Sequence, residues 1–192
     1  AQSASLPKPY SNTGAPGPRQ INTDKFKALV TEADKRGALV HIHAIGDQAV
    51  TDALDAVAAA RKANGDSGIP HTITHLEVVL PTDVPRFAEL GVIASMQLLW
   101  AQENEYTDEL LKPYLDPGLY ANIYPARSIR DAGGIIAGAT DWPVDVASPF
   151  LEMAVGIGRS DGTHPTFMPD QTLTNEDMLY AFTINAAKAA RI

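Results

Sequence analysis

The sequence predicts an α/β fold in which parallel strands alternate with helices. Four short apolar runs alternate with segments whose apolar residues recur at helical spacing, and glycines separate many of them. Hydrophobic residues make up 45% of the chain and charged residues 20%, as in an average globular domain. Strict alternation of this kind is typical of parallel strands covered by helices, arranged as an open doubly wound sheet or as a (β/α)8 barrel.

The elements follow in order from local signals. Residues 1–20 are rich in Pro, Gly, Ser and Ala and lack periodicity, which predicts an extended loop before the βα repeats of 21–192. Thr23 is a suitable N-cap for the first helix, and Gly37 ends its apolar spacing. The predicted elements are helices over 23–36, 48–63, 83–90, 122–132 and from Thr174 through Ala187, and strands over 38–45, 71–79, 92–97 and 135–140.

Charge and composition exclude several classes of function. The chain has 15 Lys and Arg against 23 Asp and Glu, a formal charge of −8, which argues against a nucleic-acid partner. No apolar run approaches the ~20 residues of a membrane-spanning helix. The chain has no cysteine, so disulfides, thiolate metal sites and cysteine nucleophiles are excluded. No secretory signal is visible, and we expect a cytoplasmic location.

The carboxyl ends of the predicted strands are unusually polar. His41 and His43 share one face of the first strand, His71 and His75 share one face of the second, and Asp141 closes the fourth. In both candidate folds functional groups collect at these ends. Each histidine alone is compatible with a hydrogen-bonded core residue. Together with the aspartate, and without cysteine, they favour a divalent metal held by imidazole and carboxylate: zinc, iron, manganese or nickel.

Five motifs together resemble one known family. They are VHIHAIGDQAV (40–50), THLE (74–77), ASMQ (94–97), GATDWPV (138–144) and LTNEDMLYAFTINAAKAA (173–190). They are similar to the carboxyl-terminal half of the metal-dependent amidohydrolases, in the amidohydrolase-3 branch that includes N-substituted formamide deformylases. The resemblance runs through nearly the whole chain.

The resemblance implies strands 5 to 8 of a (β/α)8 TIM-type barrel with one or two divalent metals, most often zinc, at its carboxyl mouth. It implies that His43 and His75 are metal ligands of strands five and six. Asp141 would be the ligand of strand eight and would also transfer a proton from the metal-bound water to the leaving nitrogen. The implied reaction is hydrolysis of a non-peptide carbon–nitrogen bond in a small amide or formamide.

The sequence departs from the family pattern in one large respect. The family carries a His-x-His pair on strand one and usually a lysine or acidic ligand on strand four, and neither can be placed here. Residues 41–43 could be read as the strand-one pair, but the helix that follows at once argues against it. We therefore expect a fragment truncated at both ends and inactive alone. Its open sheet edges would pair with another copy or with a companion amino-terminal fragment.

Other residues near the strand ends are candidates for binding substrate or for supporting the metal ligands. Gln97, Trp100 and Trp142 are candidate substrate contacts, with structural amide and core tryptophans as the alternatives. Glu77 could accept a hydrogen bond from the outer nitrogen of a ligating histidine, or lie at the surface. His41 is expected to be a buried histidine behind the site.

Some residues receive no catalytic role. Asp47 fits a helix cap better than a metal ligand, and His71 and His164 are given no chemical task. A different class of function remains open, a metal-free α/β domain that binds a sugar or phosphate through glycine-rich loops such as 156–162. Loops 98–121 and 142–172 are expected to determine specificity.

Overall fold

The computed structural model describes residues 3–192. The helices are α1 (Thr23–Lys35), α2 (Asp47–Asn64), α3 (Val84–Leu90), α4 (Pro117–Tyr120), α5 (Ala126–Asp131), α6 (Pro149–Gly158), α7 (Asn175–Ala181) and α8 (Ile184–Ala190). The strands are β1 (His41–Ala44), β2 (Thr72–His75), β3 (Ile93–Met96) and β4 (Ile135–Gly138). Two 3-10 turns, Leu98–Trp100 and Pro169–Gln171, and a π-helix, Tyr106–Leu111, lie in the connections.

The strands form one parallel sheet in the order β1-β2-β3-β4. The predicted parallel α/β fold is thereby confirmed. Strand order follows chain order without a reversal, which is how the strands of a (β/α)8 barrel are arranged, whereas a doubly wound sheet reverses at a switch point. In this register Thr74 lies opposite both His43 on β1 and Ser95 on β3.

The two inner strands and the two outer strands differ in burial. All residues of β2 and β3 are buried, as in a strand covered on both faces. The outer strand β1 is exposed at His41 and His43, and β4 is only partly buried. The helices that cover the sheet contribute Val57, Phe87 and Ile129 to one continuous apolar core.

Helix caps explain several boundaries. The first helix is capped by Asn22, whose side-chain oxygen accepts from the Lys25 N–H at 3.0 Å, one residue before the predicted cap Thr23. The last helical segment begins as predicted at Thr174, which forms a reciprocal capping box with Asp177. These side chains satisfy helix N–H groups that would otherwise lack partners.

Some predicted boundaries were wrong. The second strand ends at His75 instead of residue 79, because His75 and Leu76 both take a positive φ and turn the chain away. The final helix is divided into α7 and α8, where the ring of Phe182 packs over Gly138 of β4. Helix α6 was not predicted, because glycines within 149–158 are poor helix formers. Gly156 is needed there, since a Cβ would lie 2.6 Å from the Met178 side chain.

The segment before α1 packs against the start of α2. Residues 3–20 contain turns and bends, and Leu6 and Tyr10 are buried. The Ser5 carbonyl accepts the Gln48 N–H at 3.2 Å, a donor of the first turn of α2 that Asp47 Oδ1 also accepts at 2.8 Å. A Cβ at Gly46 would lie 2.3 Å from this carbonyl oxygen, so the close approach requires glycine. This loop is part of the packed core.

Within residues 3–192, no helix is both long enough and apolar enough to span a membrane.

Candidate functional site

Polar side chains from all four strands gather at the carboxyl end of the sheet. His43 lies in β1, His75 ends β2, Gln97 follows β3 and Asp141 comes shortly after β4. Because the strands are parallel and in register, their carboxyl ends share one edge. This edge is where α/β folds place their binding sites.

His43 and His75 are direct neighbours. Their ring centroids are 4.4 Å apart and the planes meet at 69°. Burial lowers the pKa of His75, His43 lowers it further, and the charge of Asp141 acts in the opposite direction. His75 is therefore held as a neutral imidazole with a carboxylate within electrostatic reach.

The donor set has the chemistry of a divalent metal site but is incomplete. Neutral imidazole and carboxylate oxygen are ligands that zinc and similar cations accept. Within residues 3–192, however, no three His, Asp or Glu side chains are arranged closely enough to hold a metal ion. The chain brings together two imidazoles and places Asp141 nearby, so a full coordination sphere requires further ligands or movement of Asp141.

His75 is supported by a buried hydrogen-bond chain. Its Nδ1 lies 3.0 Å from Oε1 of Gln97, and Nε2 of Gln97 donates to the Thr74 hydroxyl at 3.2 Å. Substrate contact and a structural amide were the two interpretations of Gln97. The structure favours the structural amide, because Gln97 is only 2% exposed and both ends of its amide bind protein groups.

Trp100 forms one wall beside His75. The indole lies nearly parallel to the imidazole, with centroids 5.7 Å apart. Its Nε1 donates to Asp145 at 3.0 Å. Glu152 of α6 accepts the Leu99 N–H at 2.8 Å and so holds the 3-10 turn that carries Trp100. Burial raises the pKa of Glu152 to about 7.

Two of the three candidate ligands have an unusual backbone. His75 has φ 78° and Asp141 has φ 55°, in the left-handed region that favours glycine. A non-glycine residue in this region costs about 1 kcal/mol or more, and such residues cluster at functional sites. The surrounding packing therefore holds the backbone of both residues in a conformation that non-glycine residues disfavour.

Glu77 does not bond a histidine, contrary to the prediction. It is buried, and its carboxylate accepts from the hydroxyls of Tyr106 at 3.1 Å and Tyr124 at 3.3 Å. The positive φ at His75 and Leu76 turns the chain before Glu77. The Glu77 side chain therefore does not lie on the face of the sheet where an unbroken strand would have placed it. Burial raises the pKa of this carboxyl, while the two tyrosine hydroxyls stabilise its ionised form.

His41 is exposed on the edge strand β1, so the predicted burial is wrong. Within the part of the chain that the structure describes, β1 pairs with β2 alone. The His41 Nδ1 lies 2.5 Å from the Thr72 hydroxyl. Trp142, a predicted substrate contact, is 69% exposed beside Asp141, where an incoming molecule could meet its ring.

The remaining singled-out residues lie outside this cluster. Asp47 is the buried first residue of α2, with Gly46 as the cap. His71 is buried at the amino end of β2, and His164 lies in an exposed loop beside Asp161. Gly156 and Gly158 are within α6, and residues 159–162 of this glycine-rich stretch follow the helix without regular structure.

Three supporting residues were missed from the sequence: Thr74, Asp145 and Glu152. Thr74 could have been found, because a parallel pairing of strands 71–79 and 92–97 brings it near Gln97. Asp145 and Glu152 act through loop and helix contacts whose register no strand pattern fixes.

The chain is similar to known proteins along its full length. The model described as "Amidohydrolase family" matches residues 1–192. Protein LONG AFTER FAR-RED 3 of Arabidopsis thaliana is 29% identical over 171 residues, which cover 88% of this chain and 29% of that protein. N-substituted formamide deformylase of Arthrobacter pascens is 29% identical over 174 residues, covering 84% of this chain and 29% of the enzyme. The chain thus spans less than a third of these relatives.

A solved structure shares the fold. An uncharacterized metal-dependent hydrolase from Pyrococcus horikoshii OT3 superposes with a TM-score of 0.80 at 24% identity, covering 99% of this chain and 38% of the hydrolase. The α/β arrangement described above is therefore the fold of the matching segment of that structure.

Proposed function

Because this chain belongs to the amidohydrolase family, we propose that it supplies His43, His75 and Asp141 to the metal site of a hydrolase of non-peptide carbon–nitrogen bonds. The observation that carries the proposal is the contact between the His43 and His75 rings, 4.4 Å apart at the carboxyl end of the sheet. Similarity to the relative named N-substituted formamide deformylase supports an amide or formamide as the substrate.

His43, His75 and Asp141 would hold a divalent cation, with zinc as the best match to nitrogen and oxygen donors. When bound, such a cation supplies Lewis acidity and lowers the pKa of a water molecule toward ~7. Burial keeps His75 neutral, so a ring lone pair is available without loss of a proton. His43 is exposed and accessible from solvent.

The placement of Asp141 after β4 supports a role in proton transfer. Its carboxylate follows β4 and acts electrostatically on His75. In hydrolysis of an amide, the carboxylate oxygen takes a proton from the attacking water and returns it to the leaving nitrogen. The left-handed backbone at Asp141 directs the chain sharply away after β4 and leaves this residue at the sheet edge.

The tryptophans would orient the organic part of the substrate. Trp100 is fixed by Asp145 beside His75, and Trp142 is exposed in the next loop. Flat apolar rings of this kind suit an acyl or aryl group next to the reacting carbonyl. Gln97 takes no part in substrate binding in this proposal, because His75 and Thr74 occupy its amide.

We further propose that the four strands are strands 5 to 8 of a barrel. The sequential strand order, the exposed edge strand β1 and the coverage of 29% of two relatives support this. A complete barrel typically has eight strands and ~250 residues. The missing strands would come from a preceding part of the same polypeptide, a companion fragment or a second copy.

Metal analysis with paired histidine variants tests the function. The intact protein should contain stoichiometric zinc, iron or manganese and hydrolyse N-substituted formamides. We expect His75→Ala to lose both properties. His164→Ala should keep both, because this histidine lies in an exposed loop.

Residues 1–192 expressed alone should bind metal weakly and show no turnover. An intact protein without metal, or one in which His75→Ala retains full metal content, would refute the proposal and favour a metal-free binding domain.

A further inference from the structure

The buried chain from Thr74 through Gln97 to His75 determines where the imidazole carries its proton. All three side chains are nearly inaccessible, with exposures of 6%, 2% and 7%. Oε1 of Gln97 faces Nδ1 of His75 at 3.0 Å, and its Nε2 faces Oγ1 of Thr74 at 3.2 Å. Both distances are those of normal hydrogen bonds.

The direction of these bonds follows from the chemistry of the amide. A carbonyl oxygen can only accept, so the proton between Gln97 and His75 belongs to Nδ1. A neutral imidazole with its proton on Nδ1 carries a lone pair on Nε2. The amide NH₂ donates to Thr74, and reversing the amide would place an N–H group against Nδ1.

We propose that Gln97 is a positioning residue that holds His75 in the Nδ1–H tautomer, with the bond to Thr74 keeping the Gln97 side chain in place against the ring. Nε2 is then the ring nitrogen left for a ligand. Trp100 complements this arrangement, because its nearly parallel stacking on the ring restricts rotation of the imidazole plane. The inference deepens the proposed function, in which His75 binds a cation.

The tautomer can be measured directly in the metal-free intact protein. Long-range ¹H–¹⁵N spectra of ¹⁵N-histidine-labelled protein at mildly alkaline pH distinguish a protonated ring nitrogen from an unprotonated one. The His75→Asn variant assigns the resonances. We expect a protonated Nδ1 and an unprotonated Nε2 at His75.

His71 is an internal reference for these spectra. Its Nδ1 accepts the Val40 N–H and its Nε2 lies 2.9 Å from the Asp34 carboxylate, so it must show the opposite tautomer.

Variants of the chain separate the roles of its members. Gln97→Met removes the acceptor, and His75 should become a mixture of tautomers. Gln97→Glu keeps an acceptor and should keep Nδ1–H. Thr74→Val removes the partner that keeps the Gln97 side chain in place and should leave His75 as a mixture of the two tautomers. The matched control Gln171→Met removes an amide bonded to Ser128, away from the histidines, and should leave the His75 signals unchanged.

Zinc titration gives a second readout. Loss of such a supporting hydrogen bond typically costs roughly 10- to 100-fold in metal affinity, and we expect this loss for Gln97→Met but not for Gln97→Glu. An Nε2–H tautomer in the parent protein, or unchanged His75 signals in Gln97→Met, would overturn the inference. If the tautomer shifts as expected while no variant or parent binds zinc, the positioning role stands and the proposed function fails.

Discussion

His71 and His75 lie at opposite ends of β2, and their ring nitrogens are used differently. Both nitrogens of His71 are occupied, Nδ1 by the Val40 N–H at 3.2 Å and Nε2 by Asp34 at 2.9 Å. In His75 only Nδ1 has a protein partner among the hydrogen bonds described above. One strand thus carries both a structural histidine and a candidate ligand, and the two differ in whether a ring nitrogen is left available.

The surroundings of the two histidines differ in the same way. Asp34 beside His71 is buried and receives hydrogen bonds from Arg61, Asn64 and Ser67. Its partners are thus complete within the chain. His75 faces His43 on an exposed edge strand, where the donor set is incomplete. This division matches a barrel whose amino end provides stability and whose carboxyl end provides chemistry.

The largest expected effect is a loss of stability from a change at the amino end of the sheet. Asp34→Ala leaves the partly buried Arg61 guanidinium and the buried His71 without their carboxylate, which should lower the free energy of unfolding by about 3 to 5 kcal/mol. Urea denaturation of the intact protein measures this loss. Zinc affinity of the folded variant should match the parent. Loss of zinc affinity without loss of stability would contradict the assignment of Asp34 to the stability of the fold.

Acidic pH should also lower the free energy of unfolding through Asp34 at the amino end of the sheet. Burial alone would raise the pKa of Asp34, but hydrogen bonds from Ser67, Asn64 and His71 and the charge of Arg61 lower it to about 2 from the usual 3.8. This contribution, worth about 2 kcal/mol, is complete above pH 3.8 and is lost as the pH falls toward 2.

Protonation of His71 should also lower the free energy of unfolding, at a higher pH than protonation of Asp34. Burial lowers its pKa below the usual 6.5, so its contribution to stability is present above pH 6.5 and declines as the pH falls below that value. Unfolding free energy measured against pH should decrease on the acid side, and His71→Gln should flatten the part nearest pH 6.5. A stability that rises on acidification in this range would contradict the assignment.

A smaller effect is expected at the carboxyl end from Asp145→Ala. The change removes the charged acceptor of the Trp100 indole N–H, worth about 1.5 kcal/mol. The indole should lose its fixed place beside His75. The difference in fluorescence between each protein and its Trp100→Phe derivative isolates the Trp100 signal, which should shift to longer wavelength in the variant. An unchanged spectrum would show that Asp145 does not hold Trp100.

The smallest effect is expected from Thr72→Val. This substitution removes the hydroxyl that contacts His41 on the exposed edge. Stability should change by about 0.5 kcal/mol, and zinc affinity should not change. Isothermal titration with zinc provides the check. A large loss of affinity would mean that His41 supports the metal site after all.

The strand positions and the candidate ligands were predictable because they depend on short-range patterns. Apolar runs placed β1 to β4 within a few residues, and the same runs put His43, His75 and Asp141 at one edge of a parallel sheet. The family resemblance read from the motifs is confirmed by the match over residues 1–192.

The partners of these residues were less predictable, since they depend on backbone turns and distant contacts. Glu77 was misplaced because nothing in the sequence signals a positive φ at His75 and Leu76, which are not glycines. The two interpretations of Gln97, substrate contact and structural amide, could not be separated from the sequence, because its bonds to His75 and Thr74 require the exact register of two strands. His41 was expected to be buried because the prediction assumed neighbours on both sides of β1.

The left-handed backbone at Asp141 has a consequence for protein engineering. A library selected for thermal tolerance alone would gain from glycine at this partly exposed position, because glycine accepts its φ value without strain. Such a gain would remove a candidate ligand. Screens for heat-resistant versions of this protein should therefore hold this codon constant, because otherwise they will enrich stable variants that lack a carboxylate of the proposed metal site.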